Sequence, residues 1–354
     1  MSISLRVNGT EYVNFTSAQV TLSYDKLSNV FGIQTIGTPV VQLDGLVELY
    51  VDTQKILTGY VEQITVSSSD DAHVFMLNGR DRTRDLVDST LTSLSDIRSD
   101  IHLRDLIKLV IDDIGSDLQV IDNANPDVLS SAVDIESPEP GMNAFEFLET
   151  VARRRQVILS SNADGDVVIE VSDGVDNGLV VPEHIRASVV SSTTQRYRTY
   201  NIVSDVNSRG GNPLAALGLD STDATVSQST TVTDEAIRAG KTLTIVAEDS
   251  YPKDALRKRI AWERTNRVAR SVEIEYTIAG NQIAYTPGQL VTVKNSLLGI
   301  DDTFFINETT FGYSDRDGST TTLRLLGKRA FERIAEPKDQ ENNDFLSFIK
   351  GAAQ

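Results

Sequence analysis

The sequence predicts a mainly β fold with an α+β portion. The expected architecture is two β-barrel domains of similar fold, a small α+β domain between them, and a helix-containing insertion in the second barrel. Two observations carry this reading. The first is an internal echo. One stretch runs from Gly45 through Leu46–Val51, Tyr60–Ile64, a polar turn at 67–71 and Val74–Asn78 to Gly79-Arg80; another runs from Gly288 through Gln289–Val293, Phe305–Thr309, a polar turn at 314–319 and Leu323–Leu326 to Gly327-Lys328. Each reads strand, strand, turn, strand, then glycine and a basic residue, the mark of one small β-domain present twice, which suits ring building better than a catalytic cleft. The second is a change of period, from alternation before Arg80 to helical spacing after it and back to alternation near Ala187.

From Ile3 to Asn78 short alternating apolar runs are broken by Asn8-Gly9, Asp25-Lys26, Gly37-Thr38-Pro39 and Asp44-Gly45, which places a first β-barrel at 1–90. Asn8-Gly9 is the sharpest hairpin signal, because both residues tolerate positive φ. Leu103, Leu106, Ile107, Val110, Ile111 and Ile114 then recur at helical spacing with Arg104, Asp105, Lys108, Asp112 and Asp113 opposite, and Gly115 stands where the helix would end. A second helix begins at Asn143, three residues before Glu146, and carries Phe145, Leu148, Val151 and Ala152 toward Arg153-Arg154-Arg155, whose charge complements the helix dipole. Val157–Ser160 and Val167–Val171 flank Asn162-Ala163-Asp164-Gly165 as a hairpin, completing an α+β domain at 91–175.

Asp173–Gly178 reads as a linker, followed by strands at Ala187–Thr194 and Tyr200–Val206. Ser208–Thr230, rich in small polar residues, reads as a long exposed loop or a partly disordered segment. A strand at Leu243–Ala247 precedes Pro252, which fits the first turn of a helix reaching Ala269. Strands at Ser271–Ile278, Leu290–Val293, Thr303–Phe311 and Thr321–Leu326 complete a second barrel at 176–335, interrupted by an insertion at about 207–269. The tail at 336–354 ends in Phe345-Leu346-Ser347-Phe348-Ile349, read either as a packed terminal turn or as a docking peptide.

Composition narrows the function. The chain has 354 residues, 40% hydrophobic and 24% charged, enough for two or three packed domains. No apolar run approaches a membrane span, and Met1–Val7 lacks a secretion pattern, so a protein made and folded in the cytoplasm is expected. The absence of cysteine removes disulfides, thiol nucleophiles and thiolate metal sites. A net charge of −18 argues against general nucleic-acid binding, which needs clustered Lys and Arg.

The search for chemistry finds no catalytic, cofactor-binding or metal-ligating set. His73, His102 and His184 fall in three different segments without metal spacing. Gly240-Lys241-Thr242 lacks the upstream glycine and strand of a phosphate loop, and no G-x-S-x-G elbow occurs. The carboxylate pairs Asp70-Asp71, Asp112-Asp113 and Asp301-Asp302 could serve glycoside hydrolysis only at a fixed separation around a sugar cleft, and each reads as a turn or a solvated helix face. Asn162–Asp166 and Asp315–Gly318 look like fragments of calcium loops but lack the closing Glu. Lys253, Arg257, Lys258, Arg259, Arg264, Arg267 and Arg270 spread over more than one helix face, as expected for salt bridges between domains or subunits.

Three segments carry a family resemblance. Thr58-Gly59-Tyr60-Val61, then Gly79-Arg80-Asp81-Arg82-Thr83-Arg84-Asp85-Leu86-Val87-Asp88, then Ala152-Arg153-Arg154-Arg155-Gln156-Val157 leading to Ser161–Gly165, resemble in order and spacing the baseplate hub proteins of Mu-like contractile-tailed phages. The resemblance implies a non-enzymatic homotrimer, without cofactors, at the tip of the tail tube. Three chains of two barrels each would give a pseudo-sixfold ring between a hexameric tail tube protein and a trimeric central spike protein. It further implies baseplate wedge proteins and the tape-measure protein as partners, genomic DNA passing through a channel without specific binding, no stable membrane insertion, and location in the virion after assembly in the host cytoplasm. Two rival readings stay open: a tail-associated peptidoglycan hydrolase, and a carbohydrate- or cell-surface-binding module.

Overall fold

Alternating burial turns the first eighty residues into strands. The computed structural model describes residues 3–36, 41–68, 73–92, 94, 97, 101–123, 138–154, 157–171, 175–204, 228–247 and 253–331. Its first unit comprises β1 (Ile3–Val7), β2 (Thr10–Tyr12), β3 (Ser17–Ser23), β4 (Val30–Ile36), β5 (Leu46–Val51), β6 (Gln54–Ser68) and β7 (His73–Asp81). They lie in the order β3-β4-β7-β6-β5-β1-β2, all antiparallel. Asn8 and Gly9 take φ of 50° and 79°, as the β1–β2 turn requires. On β3, Ala18 and Val20 are buried while Gln19 between them is exposed, the period-two signature of a half-buried strand.

The middle unit holds α1 (Arg84–Asp88), α2 (Leu103–Asp113), β8 (Val120–Asp122), α3 (Ala144–Arg154), β9 (Ile158–Ser161) and β10 (Val167–Glu170). The spacing of Leu103, Leu106, Ile107, Val110 and Ile111 puts all five inside a core with Leu148, Val151, Val167 and Ile169. Asn143 Oδ1 accepts the Glu146 N–H at 3.0 Å, so the expected helix start is present, and Gly115 follows α2. The Asn162–Gly165 turn joins antiparallel β9 and β10, and β8 adds in parallel on the far side of β10.

The last unit contains β11 (Val175–Val180), β12 (Arg186–Ser191), β13 (Thr199–Ser204), β14 (Gln228–Thr233), β15 (Thr242–Val246), α4 (Lys253–Ala269), β16 (Val272–Ala279), β17 (Gln289–Asn295), β18 (Ile300–Ser314) and β19 (Gly318–Gly327). β13, β14 and β15 form a separate sheet, and Tyr200 and Ile202 of that sheet share a core with Leu256 and Ile260 of α4. The stretch expected as a linker instead contains β11, paired in parallel with β17. Its largely exposed, polar sequence has no alternating face, which is why periodicity missed it. Pro252, the 208–227 loop and the 336–354 tail lie outside the described residues.

The two β units are not separate sheets. β18 pairs with β19 along one side; on the other side its first half pairs with β17 and its second half with β3, from Glu308↔Ser23 to Ser314↔Ser17. One thirteen-stranded sheet results, and no closed barrel is found among the described residues. The physical reason is length. β18 extends well past the end of β17, and the overhang carries Phe311 into the core of the first unit beside Val20 and Ile33. Burying that one ring contributes about 2–3 kcal/mol to the union.

The echo is real at the level of topology. The order β3-β4-β7-β6-β5-β1 recurs as β12-β16-β19-β18-β17-β11. Both long strands carry a bulge at the same place, Glu62 on β6 and Asn307 on β18. Aligning the bulges corrects the sequence match, however. Gly79 faces Val61, and its counterpart facing Ile306 is Leu325; Gly327 faces Phe304, the place taken in the first copy by Asp81 opposite Gly59. The two glycine-basic endings are therefore offset by two residues. The outer strands differ as well, β1 running antiparallel to β5 and β11 parallel to β17.

Candidate functional site: a buried joint and a polar sheet face

The three segments that carry the family resemblance meet in space. β7 ends at Asp81, whose carboxylate is fully buried. One oxygen accepts the Asn29 N–H at 2.9 Å and the Ser161 hydroxyl at 2.5 Å; the other accepts the Thr83 N–H at 3.0 Å and the Thr83 hydroxyl at 2.5 Å. Burial pushes this carboxyl above its usual range against the pull of those donors. A buried carboxyl with a raised pKa is a candidate acid catalyst. Here both oxygens are taken by structural donors, so the group works as a knot between β4, α1 and β9.

Flanking residues extend the joint. Thr58 donates its hydroxyl to the Ala163 carbonyl at 2.9 Å, and Lys55 pairs with Asp164. Arg82 reaches Asp117 at 2.5 Å and Asp166 at 3.4 Å. Arg80 pairs with Glu62 at 2.6 Å and with Asp88, and Arg84 pairs with Asp44 and with Glu62 at 3.3 Å. The G-R-D-x-T-x-D-L segment thus clamps the first β unit to the α+β unit. Gly79 is demanded by proximity, since a Cβ there would fall 2.1 Å from the Tyr60 carbonyl oxygen and 2.5 Å from Phe31 Cζ. Of the arginine run, Arg153 pairs with Glu149 at 2.6 Å.

The second feature is a groove of about 820 Å³ along the face of β3, β4, β7 and β18. Gln19, Thr21, Gln34, Asn78, Thr310 and Thr322 line it with amides and hydroxyls. Arg80 and Arg186 also border it, and the Arg80 charge is already met by Glu62 and Asp88.

The other candidates stay apart. His184 contacts Asn295 at 3.0 Å, while His73 and His102 begin β7 and precede α2. Asp113 accepts from Thr92, Asp301 and Asp302 are exposed at the start of β18, and Asp70-Asp71 lie outside the described residues. Asn162 Oδ1 accepts the N–H groups of Asp164 and Asp166, and Tyr313 and Ser314 hold Asp315 and Asp317, so turn bonding accounts for both calcium-like stretches. Among the described residues no group of three or more acidic or histidine side chains is placed to hold a metal, and no helix is long and apolar enough to cross a membrane. On α4, Arg259 and Arg267 pair with Glu263, and Arg270 beyond its end reaches Asp25 at 3.3 Å, joining the insertion to the first β unit. Sequence reasoning missed α1, Asn29 and the β3–β18 seam, since each depends on partners remote in the chain.

Comparison with known proteins agrees with the resemblance. Residues 2–81 match the family described as Mu phage baseplate assembly protein GpP-like, N-terminal. The chain is 23% identical to baseplate hub protein gp44 of Escherichia phage Mu, over 93% of this chain and 89% of that one. Among solved structures, the 43 kDa tail protein of prophage MuSo2 from Shewanella oneidensis shares its fold with a TM-score of 0.78 at 22% identity, covering 95% of this chain and all of the other. A tail protein from Neisseria meningitidis MC58 follows with a TM-score of 0.75 at 19% identity, covering 94% and 99%.

Proposed function

We propose that this chain, which resembles the baseplate hub proteins of Mu-like contractile-tailed phages over nearly its whole length, is the structural hub of such a baseplate and not an enzyme. In this reading three copies form a ring that joins a hexameric tail tube to a trimeric central spike, leaving a channel for the genome. Each chain supplies two barrel-like wall segments, assigned to 1–90 and 176–335, with the 91–175 unit and the insertion at about 207–269 outside the wall. Wedge proteins and the tape-measure protein are further partners, and the working location is the virion after assembly in the host cytoplasm.

The observation that carries the proposal is the strand order repeated within one chain. Two copies per chain let a threefold ring present six similar surfaces to a sixfold tube, while their differences suit a threefold spike. The amide and hydroxyl face supports the channel, because the two arginines on its border, Arg80 and Arg186, do not make a row of phosphate clamps and the acidic Glu62 and Asp317 lie beside them. Size-exclusion chromatography with light scattering tests the reading. The expected mass is that of three chains, alone or with the spike protein, and a stable monomer under both conditions overturns it.

A further inference from the structure

We infer that the C-terminal tail docks on its own chain, residues 344–349 seating in a groove lined by α3 and α4, and so straps the α+β unit to the insertion. The groove holds about 300 Å³. Phe145 and Ala152 of α3 and Trp262 of α4 give it apolar walls, and Phe331, just beyond β19, lines it as well.

In an acidic chain this groove carries a surplus of positive charge. Arg153 pairs with Glu149 at 2.6 Å and Arg270 with Asp25 at 3.3 Å, but Arg259 and Arg267 share the one carboxylate of Glu263, at 3.1 and 2.6 Å. Four guanidiniums thus meet three carboxylates in the lining, whereas the whole chain has 33 Lys and Arg against 51 Asp and Glu. Two of these cations lie over rings, Arg259 at 5.0 Å from the Trp262 centroid and Arg270 at 4.7 Å from that of Phe331. Apolar walls beside guanidinium groups suit a segment that brings aromatic rings and carboxylates together.

The tail has that chemistry in its sequence. From 336 to 349 it carries Glu336, Asp339, Glu341 and Asp344 against Lys338 alone, and the last of these acids runs directly into Phe345, Leu346, Phe348 and Ile349. It also starts in the right place. Phe331 is held with its ring centroid 5.0 Å from that of Phe305 and 5.3 Å from that of Tyr24, so the chain enters the tail from the groove itself. Phe345 follows fourteen residues later. Such a length reaches up to about 50 Å when extended, ample for turning back. A segment tethered this close meets its site at a local concentration of about millimolar order, which favours it over a free peptide of the same chemistry.

Trp262 is the single tryptophan of the chain, so its fluorescence reports on the groove directly. In the full-length protein, Phe345→Ser together with Phe348→Ser is expected to shift the Trp262 emission to the red and to raise its quenching by acrylamide. Crosslinking then identifies the occupant, because the chain has no cysteine of its own. With Glu149→Cys and Ser347→Cys, a flexible bismaleimide is expected to give a single-chain product of altered mobility on a denaturing gel. Glu149→Cys removes a carboxylate and so leaves the surplus of positive charge in place. Thr10→Cys with Ser347→Cys, which puts the first thiol on β2 at the far end of the sheet order, is expected to give none. Unchanged Trp262 emission and quenching, or equal crosslinking of the two pairs, overturns the docking. Products that join two chains place the tail in a neighbour's groove and overturn the strap within one chain. Exposure of Trp262 without any Glu149→Cys/Ser347→Cys product overturns it too, assigning the fluorescence change to a remote contact. None of these outcomes depends on whether the chain forms a ring.

Discussion

At the scale of single residues, Asp81 concentrates the consequences. Its two oxygens accept from Asn29, Thr83 and Ser161, residues of three different segments. Replacing Asp81 by Asn keeps the volume but turns one acceptor into a donor aimed at a backbone N–H. Leaving buried partners unsatisfied costs about 2–3 kcal/mol. Asp81→Asn should therefore lower the urea midpoint by a corresponding amount without changing the slope. An unchanged midpoint would mean the knot does not hold the two units together. The sequence marked this residue only through its family-like surroundings, because nothing local reveals that Asn29 and Ser161 converge on it.

At the scale of elements, the seam between β18 and β3 is held by charge as well as by backbone bonds. Glu308 receives Lys26 at 2.5 Å and Arg324 at 3.1 Å. Burial pushes the Glu308 carboxyl up, but the two cations together outweigh it and hold the group below its usual 4.5. A depressed folded pKa makes the contribution fully present above the unfolded value of about 4.5 and lost as pH falls through the lower folded value. Glu308→Gln should thus cost about 1 kcal/mol in thermal melts at pH 7 and almost nothing well below pH 4. A penalty independent of pH would assign the effect to packing alone. Strand and helix identity were legible here wherever one face was apolar, as in α2 with Leu106 and Val110 or β3 with Ala18 and Val20. They were illegible where a strand lacks such a face, as in β11.

At the scale of the whole molecule, the duplication was readable and its joining was not. Alternation reports which face of a strand is buried, and the echo therefore showed two similar β units. It carries no information about which strand lies alongside, so the two units read as separate barrels although β18 pairs with strands of both within one sheet. The same gap hid the register, and the glycine-basic endings that match in sequence sit two residues apart across the bulges. The joint at Asp81 was located by the family-like segments without its geometry, while the polar groove had no signature at all, being spread over β3, β4, β7 and β18.

The shared strand also sets an order of events in folding. Thr21 and Thr310, in contact across the seam, are separated by 289 residues of chain. Contacts so distant form late, because the loop between them must be closed first. As the chain leaves the ribosome, β3 has its β4 partner early but keeps one edge bare until nearly all the remaining sequence has been made. Pulse-labelled hydrogen exchange during refolding should show β3 amides on that edge gaining protection together with β18, after the β4–β7 ladder is already protected; simultaneous protection of all three would refute this. Until that late closure, the nascent protein offers a pairing edge to other copies, and its solubility during synthesis depends on how quickly its last strands arrive.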